Sequence, residues 1–286
     1  MSDGNAAQKG QGASNPNDQD NLMTTRMMRV RGQDLRVAAR TGRTDRPPLL
    51  LFNGIGANLE LAEPFMRGLG DTGSVIFDAP GVGGSPMPTL PYRPSTVAKW
   101  GVEVMRQLGH ERFDVAGVSW GGAMAQQIAH QFPKNVRRLV LAATAPGVLM
   151  VPGKPAVLWK LASPRRYADP DYMQSIAPEI YGGAFRQDPA LAGAHAKNMR
   201  SASKGGYLLQ LLAISGWTSA LWLRSLKQRT LIMMGRDDPI VPEINGRILA
   251  YLIPHAQLQI MRCGHLFIVT MPGETAQAIR DFLIEP

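Results

Sequence analysis

The stretch FDVAGVSWGGAMAQQIAHQF, residues 113–132, constrains the fold more than any other part of the chain. Its first six residues are the aromatic, β-branched and small types of a buried strand. From Trp120 onward the apolar residues recur at spacings of three and four, as on an amphipathic helix. The change of period falls on Ser119, flanked by Gly117 and Gly121. A strand that becomes a helix across one residue needs close backbone approach on both sides, which glycine permits. Such an elbow lifts the serine hydroxyl to where a base and a substrate both reach it. A hydroxyl is a poor nucleophile until a base takes its proton, so Ser119 is a candidate nucleophile only if partners exist elsewhere. Without them it is a serine in a glycine-rich turn.

The same change of period repeats along the chain. Strand patterns at 49–53, 74–78, 113–118, 136–142, 229–234 and 256–261 alternate with helical ones such as STVAKWGVEVMRQL, EINGRILAYLI and ETAQAIRDFLI. This alternation predicts an α/β fold, a mostly parallel central sheet covered by helices on both faces. Ahead of it, TTRMMRVRGQDLRVAAR predicts two short strands joined at Gly32-Gln33. More than eighty residues separate the strand ending near Ala142 from the one starting near Thr230. That interval carries aromatics, including Trp159, Tyr181, Phe185, Trp217 and Trp222, and much Pro and Gly. Insertions of this length in compact domains serve as lids or binding elements. The expected organisation is a disordered polar tail over 1–22, a core over 23–145 and 228–286, and an inserted helical cap, or lid, over 146–227.

Partners for Ser119 appear in the expected order, acid and then base, each after a later strand. TLIMMGRDDPIVP runs from a strand into Gly235 and the pair Asp237 and Asp238; AQLQIMRCGHLF runs from a strand into Gly264 and His265. Both lie at the carboxyl ends of predicted strands, the edge where open α/β sheets hold their ligands. His265 is the candidate base and Asp238 the candidate acid that orients it, with Asp237 the nearest rival. His110, His130, His195 and His255 read as surface or satisfied core residues. An oxyanion needs amide donors, conventionally from the residue after the nucleophile and from the loop after an early strand. Those donors are the backbone N–H groups of Trp120 and of Ile55, the latter in LLLFNGIGAN, where the Asn53 side chain is expected to brace the turn. FDAPGVGGSP lacks the spacing of a phosphate cradle and reads as a structural turn beside the site.

Composition narrows the function classes. The 286 residues are 44% hydrophobic, enough for one large α/β domain. No apolar run reaches the ~20 residues of a membrane span, and residues 1–22 lack the apolar region of a secretory signal. A single cysteine, Cys263, excludes an internal disulfide and a cysteine-rich zinc site and suits a reducing, cytoplasmic setting. The net charge of +9 is dispersed, with seven Arg against two Asp in 23–46 and ten Lys and Arg against four acids in 146–227. It forms no continuous basic face, so nucleic acid is not an expected partner. No paired metal-ligand spacing is visible, and the chemistry expected of Ser119, Asp238 and His265 needs neither metal nor cofactor.

Over roughly 47–284 the ordered set resembles the α/β-hydrolase superfamily. Longer strings, FNGIGANLEL, FDAPGVGGS, GVSWGGAMAQQ, LVLAATAPG, MVPGKP with ASPRRY shortly after it, YGGAFRQDP and DDPIVP, are similar to the intracellular depolymerases of medium-chain-length polyhydroxyalkanoates, bacterial storage polyesters. The likeness runs through both core and cap, and includes the Asn53-Gly54-Ile55-Gly56 loop. It implies hydrolysis of esters between 3-hydroxyacyl units through an acyl-enzyme on Ser119, in the cytoplasm, with the polyester on a storage-granule surface as partner. The related polyester synthases use cysteine at the elbow, and serine there fits breakage over chain growth. An apolar acyl pocket is then required, and the cap aromatics with YLLQLLAISGW are candidates to line it, or else form the cap's own core. Two other readings stay open: a carboxylesterase of soluble substrates, and a binding protein that keeps only the hydrolase shell.

Overall fold

The computed structural model describes residues 23–163, 165–198 and 203–285; the expected tail over 1–22 lies outside the described residues. An eight-stranded sheet organises the chain. Its strands are β1 (Met23–Val30), β2 (Gln33–Arg40), β3 (Leu49–Phe52), β4 (Ser74–Phe77), β5 (Phe113–Val118), β6 (Val136–Ala142), β7 (Arg229–Gly235) and β8 (Ala256–Met261). The spatial order is β1-β2-β4-β3-β5-β6-β7-β8. β1 pairs antiparallel with β2 and β2 antiparallel with β4, while every later pair is parallel. The hairpin joining β1 to β2 turns on Arg31 and Gly32, both at positive φ, one residue earlier than the expected Gly32-Gln33. Two successive positive φ values suit the right-handed twist of the flanking strands.

The helices over the sheet are α1 (Glu63–Gly68), α2 (Pro94–Gln107), α3 (Trp120–Gln131), α10 (Ile244–Leu252), α11 (Phe267–Thr270) and α12 (Pro272–Ile284). Because strand side chains alternate, each central strand feeds both faces. Leu50, Phe52, Val75 and Val115 pack on one face with Val97 and Met105 of α2, Met124 of α3 and Leu249 of α10. Leu49, Leu51, Ile76 and Ala116 pack on the other with Phe65 of α1 and Ile279 and Phe282 of α12. Every residue of β3, β4 and β5 is buried, which explains why these strands read as continuous apolar runs instead of alternating ones.

Between β6 and β7 the chain forms α4 (Pro155–Ala162), α5 (Arg165–Ala168), α6 (Pro170–Tyr181), α7 (Ala184–Gln187), α8 (Pro189–Asn198) and α9 (Lys204–Ile214). Asp169 caps α6 by accepting from the Tyr172 N–H, and Ser203 caps α9 by accepting from the Gly206 N–H. These helices meet the loops at the carboxyl ends of the parallel strands. Gln210 of α9 accepts from the Gly56 N–H through its side chain at 2.7 Å and from the Trp120 indole through its carbonyl at 3.0 Å. The Tyr181 carbonyl, at the end of α6, accepts from the His265 N–H at 2.8 Å. Gly183 donates to the Asp237 carboxylate at 2.7 Å. Loops from β3, β5, β7 and β8 are therefore held from above by one helical insertion.

Candidate active site

The elbow between β5 and α3 places Ser119 at φ 53° and ψ −116°, a conformation a non-glycine residue adopts only when its surroundings enforce it. The enforcement is visible. The Ser119 N–H donates to the Ala142 carbonyl at 2.8 Å, and its own carbonyl accepts from the Gly122 N–H at 2.9 Å and the Thr144 hydroxyl at 2.8 Å. A Cβ on Gly117 would lie 2.2 Å from the Gly121 carbonyl oxygen, and one on Gly121 would lie 2.2 Å from the Phe52 carbonyl oxygen. Only glycine at both positions lets β5, α3 and β3 come this close.

β7 and β8 end beside each other and deliver the other two groups. The buried imidazole of His265 meets the Asp238 carboxylate, Nδ1 to Oδ2, at 2.7 Å. The second oxygen of Asp238 accepts from the Ile240 and Val241 N–H groups, each at 2.9 Å, so the carboxylate is fixed in the turn that follows it. Asp237 points elsewhere, into an exposed ion pair with Arg186 at 2.6 Å. Of the two candidate aspartates, Asp238 is the one paired with His265. A histidine held by a buried carboxylate is kept in one tautomer and is stabilised when it takes a proton.

Ser119 and His265 line one cavity of about 670 Å³, counting the part open to solvent. Ile55 lines it too, while Trp120 opens α3, whose first-turn N–H groups have no earlier helical carbonyl to meet. Asn53 braces the loop that carries Ile55: its amide donates to the Asn58 carbonyl at 2.8 Å and its oxygen accepts from the Gly54 N–H at 3.1 Å. FDAPGVGGSP is the structural turn expected. Its Asp78 carboxylate accepts from the N–H groups of Leu59 at 2.7 Å and Gly84 at 2.9 Å. Cys263 is a buried thiol against the Thr270 hydroxyl at 3.1 Å.

The remaining cavity wall is apolar, with Leu61, Val118, Ile240 and Ile268 among its members, and the insertion adds Leu161, Arg166, Tyr181 and His195. Of the lining candidates in the insertion, the aromatic Tyr181 reaches the cavity, whereas YLLQLLAISGW contributes nothing to it: Leu208 and Leu212 face outward, Ala213 is buried in the core, and Tyr207 packs on Val82. One expectation fails. His195, read as a surface or satisfied core residue, is instead buried against the cavity with neither ring nitrogen hydrogen-bonded among the described residues. Burial, reinforced by the nearby Arg166 charge, pushes its pKa down to about 4. Arg166 is buried as well, donating to the hydroxyls of Tyr181 and Tyr207 at 3.3 Å each. His195 sits in none of the strings singled out in the sequence; Arg166 lies within one of them, ASPRRY, but nothing in that string showed that its side chain would reach the cavity.

Relatives place this geometry in context. Along 90% of its length the chain is 51% identical to a poly(3-hydroxyalkanoate) depolymerase of Ectopseudomonas oleovorans, covering 92% of that protein. It is 26% identical, over 83% of its length and 89% of the relative, to 3-oxoadipate enol-lactonase 2 of Acinetobacter baylyi. Among solved structures, the enol-lactonase of Burkholderia xenovorans superposes with a TM-score of 0.79 at 22% identity, covering 91% of this chain and all of that one. The family model of the alpha/beta hydrolase fold matches residues 47–272, a span that contains the elbow, the Asp238 turn and His265. With that match across most of its length, the chain belongs to the α/β-hydrolase fold family.

Proposed function

We propose that this chain is a serine hydrolase of medium-chain-length poly(3-hydroxyalkanoates), cleaving their esters to 3-hydroxyalkanoic acids or oligomers. The observation that carries the substrate class is the 51% identity to a poly(3-hydroxyalkanoate) depolymerase across nearly the whole of both chains. The His265–Asp238 pair and the placement of Ser119 in the same cavity support the chemistry. His265 takes the Ser119 proton as the hydroxyl attacks the ester carbonyl, and Asp238 stabilises the imidazolium that forms. The N–H groups of Ile55 and Trp120 hold the oxyanion. Collapse expels the alcohol oxygen of the leaving unit, which receives the proton from His265. Water, deprotonated in turn by His265, then releases the acid from Ser119.

The division into a core over 23–145 and 228–286 and a lid over 146–227 belongs to the same reading, with the insertion roofing the acyl pocket. So does a cytoplasmic location at the surface of storage granules. No helix among the described residues is long and apolar enough to cross a membrane. The test is release of 3-hydroxy acids from emulsified medium-chain polyester. The parent protein releases them and Ser119→Ala loses about 10⁴-fold or more of the rate. Efficient cleavage of soluble esters with no release from the polymer would instead establish a carboxylesterase.

A further inference from the structure

His195 is the one imidazole of the cavity wall that the hydrolytic machinery does not use. It is 6% exposed, and both ring nitrogens are buried without a hydrogen-bond partner among the described residues. Its ring is held edge-on by Tyr181 at 5.3 Å and by Phe185 at 5.5 Å, so its orientation is set by packing. Leaving a buried donor and acceptor unsatisfied is costly, and sites that do so carry a reason for it. Burial, and then the charge of Arg166 close by, disfavour a positive charge here, so the imidazole stays neutral, presenting one N–H and one lone pair. His195 also lies where two hollows meet. Together with Leu61 and Val269 it lines both the cavity of Ser119 and an outer depression that includes Glu63 and Arg67. A ligand that extends from Ser119 toward the outer depression passes this imidazole.

We infer that His195 is a substrate-contact residue that recognises the oxygen on C3 of the acyl unit, and so selects 3-oxygenated esters over plain alkyl esters. The inference rests on the polyester reading, in which every acyl unit carries that oxygen: a free hydroxyl at a chain end, an acyloxy group further in. Either can accept the imidazole N–H, and the hydroxyl can also donate to the ring lone pair. An unsubstituted acyl chain offers neither and leaves His195 unsatisfied.

The experiment measures kcat/KM for the p-nitrophenyl esters of octanoic, 3-hydroxyoctanoic and 3-acetoxyoctanoic acids with the full chain and with His195→Phe, which keeps a planar ring between Tyr181 and Phe185. Loss of about tenfold on one or both 3-oxygenated esters, with the octanoate changed less than about threefold, is the expected result. Loss confined to the hydroxy ester assigns the contact to chain ends, and loss on the acetoxy ester assigns it to internal units. An equal loss on all three esters, or no loss on either oxygenated one, overturns the inference. His195→Gln, which retains a donor and an acceptor, is expected to keep the parent ordering of the three esters and serves where His195→Phe does not fold. Polymer hydrolysis by the parent protein, measured in parallel, reports on the polyester reading separately.

Discussion

Replacing Asp238 by asparagine removes one negative charge while leaving the turn in place. Oδ1 accepts two backbone N–H groups at 2.9 Å, and only the amide oxygen of an asparagine can do the same. The amide nitrogen is therefore forced toward His265 Nδ1, 2.7 Å from the position of Oδ2. Nδ1 must then accept, so the ring proton moves to Nε2, and the nitrogen required to take the Ser119 proton already carries one. In the general Ser-His-Asp arrangement this inversion costs about 10⁴-fold in kcat, equivalent to roughly 5.5 kcal/mol of barrier. Stability changes far less, because the hydrogen bonds that build the turn survive. Asp237→Ala is the matched control. It removes an ion pair with Arg186 in which both side chains are nearly half exposed, worth about 0–1 kcal/mol, together with the hydrogen bond from the Gly183 N–H, and activity is expected to stay within about threefold. The assay is initial-rate hydrolysis of a p-nitrophenyl ester alongside thermal melting of both variants. An Asp238→Asn protein that keeps more than about a tenth of the activity, or an Asp237→Ala protein that falls as far, would refute the assignment of the acid.

Gly121→Ala places a methyl group 2.2 Å from the Phe52 carbonyl oxygen, which is backbone and cannot swing aside. A cost of about 3 kcal/mol or more is expected, read as a lower urea midpoint with activity falling in step; a parent-like midpoint would show that the elbow tolerates a Cβ. His195, with its pKa lowered from 6.5 to about 4, stays neutral in the folded chain where the unfolded chain takes up a proton. Its contribution is thus fully present above pH 6.5 and lost as the pH falls toward 4, roughly 3 kcal/mol in all. His195→Phe is expected to flatten this acid limb, seen as a smaller drop in urea midpoint between pH 7 and pH 4.5. An unchanged drop would mean that the imidazole is not buried as described.

The elbow was legible in the sequence because its signal is local: a change from strand to helix period, with glycine where backbones touch. The parallel strands were legible to within a residue or so for the same reason: burial on both faces leaves unbroken apolar runs in β3, β4 and β5, and the edge strand β8 shows as the alternation AQLQIM. Asp237 and Asp238 show where local pattern runs out. The two are adjacent and chemically identical, and what separates them is a buried turn facing His265 against an exposed contact with Arg186, both made by residues distant in sequence. The contribution of the insertion to the lining was legible only in part: the aromatic Tyr181 is in the cavity wall and YLLQLLAISGW is not. Apolar spacing in YLLQLLAISGW records that one side of a helix is covered, not what covers it, so it left pocket lining and the cap's own core both open. His195 and Arg166 reach the cavity only through the packing of α5, α6 and α8, for which no short-range pattern exists.

The hydrogen bond from the His265 N–H to the Tyr181 carbonyl bears on how a polymer gains access. A Cβ on Gly264 would sit 2.0 Å from that same carbonyl oxygen, and one on Gly183 would sit 2.1 Å from the Gly264 nitrogen. At this seam the insertion and the loop that carries His265 pack backbone against backbone. A roof hinged at this seam would carry His265 with it, so on the proposed polyester reading a strand would reach Ser119 beneath the insertion without this seam parting. On that same proposed reading, turnover on solid polyester is expected to be governed by how readily a strand leaves its surface.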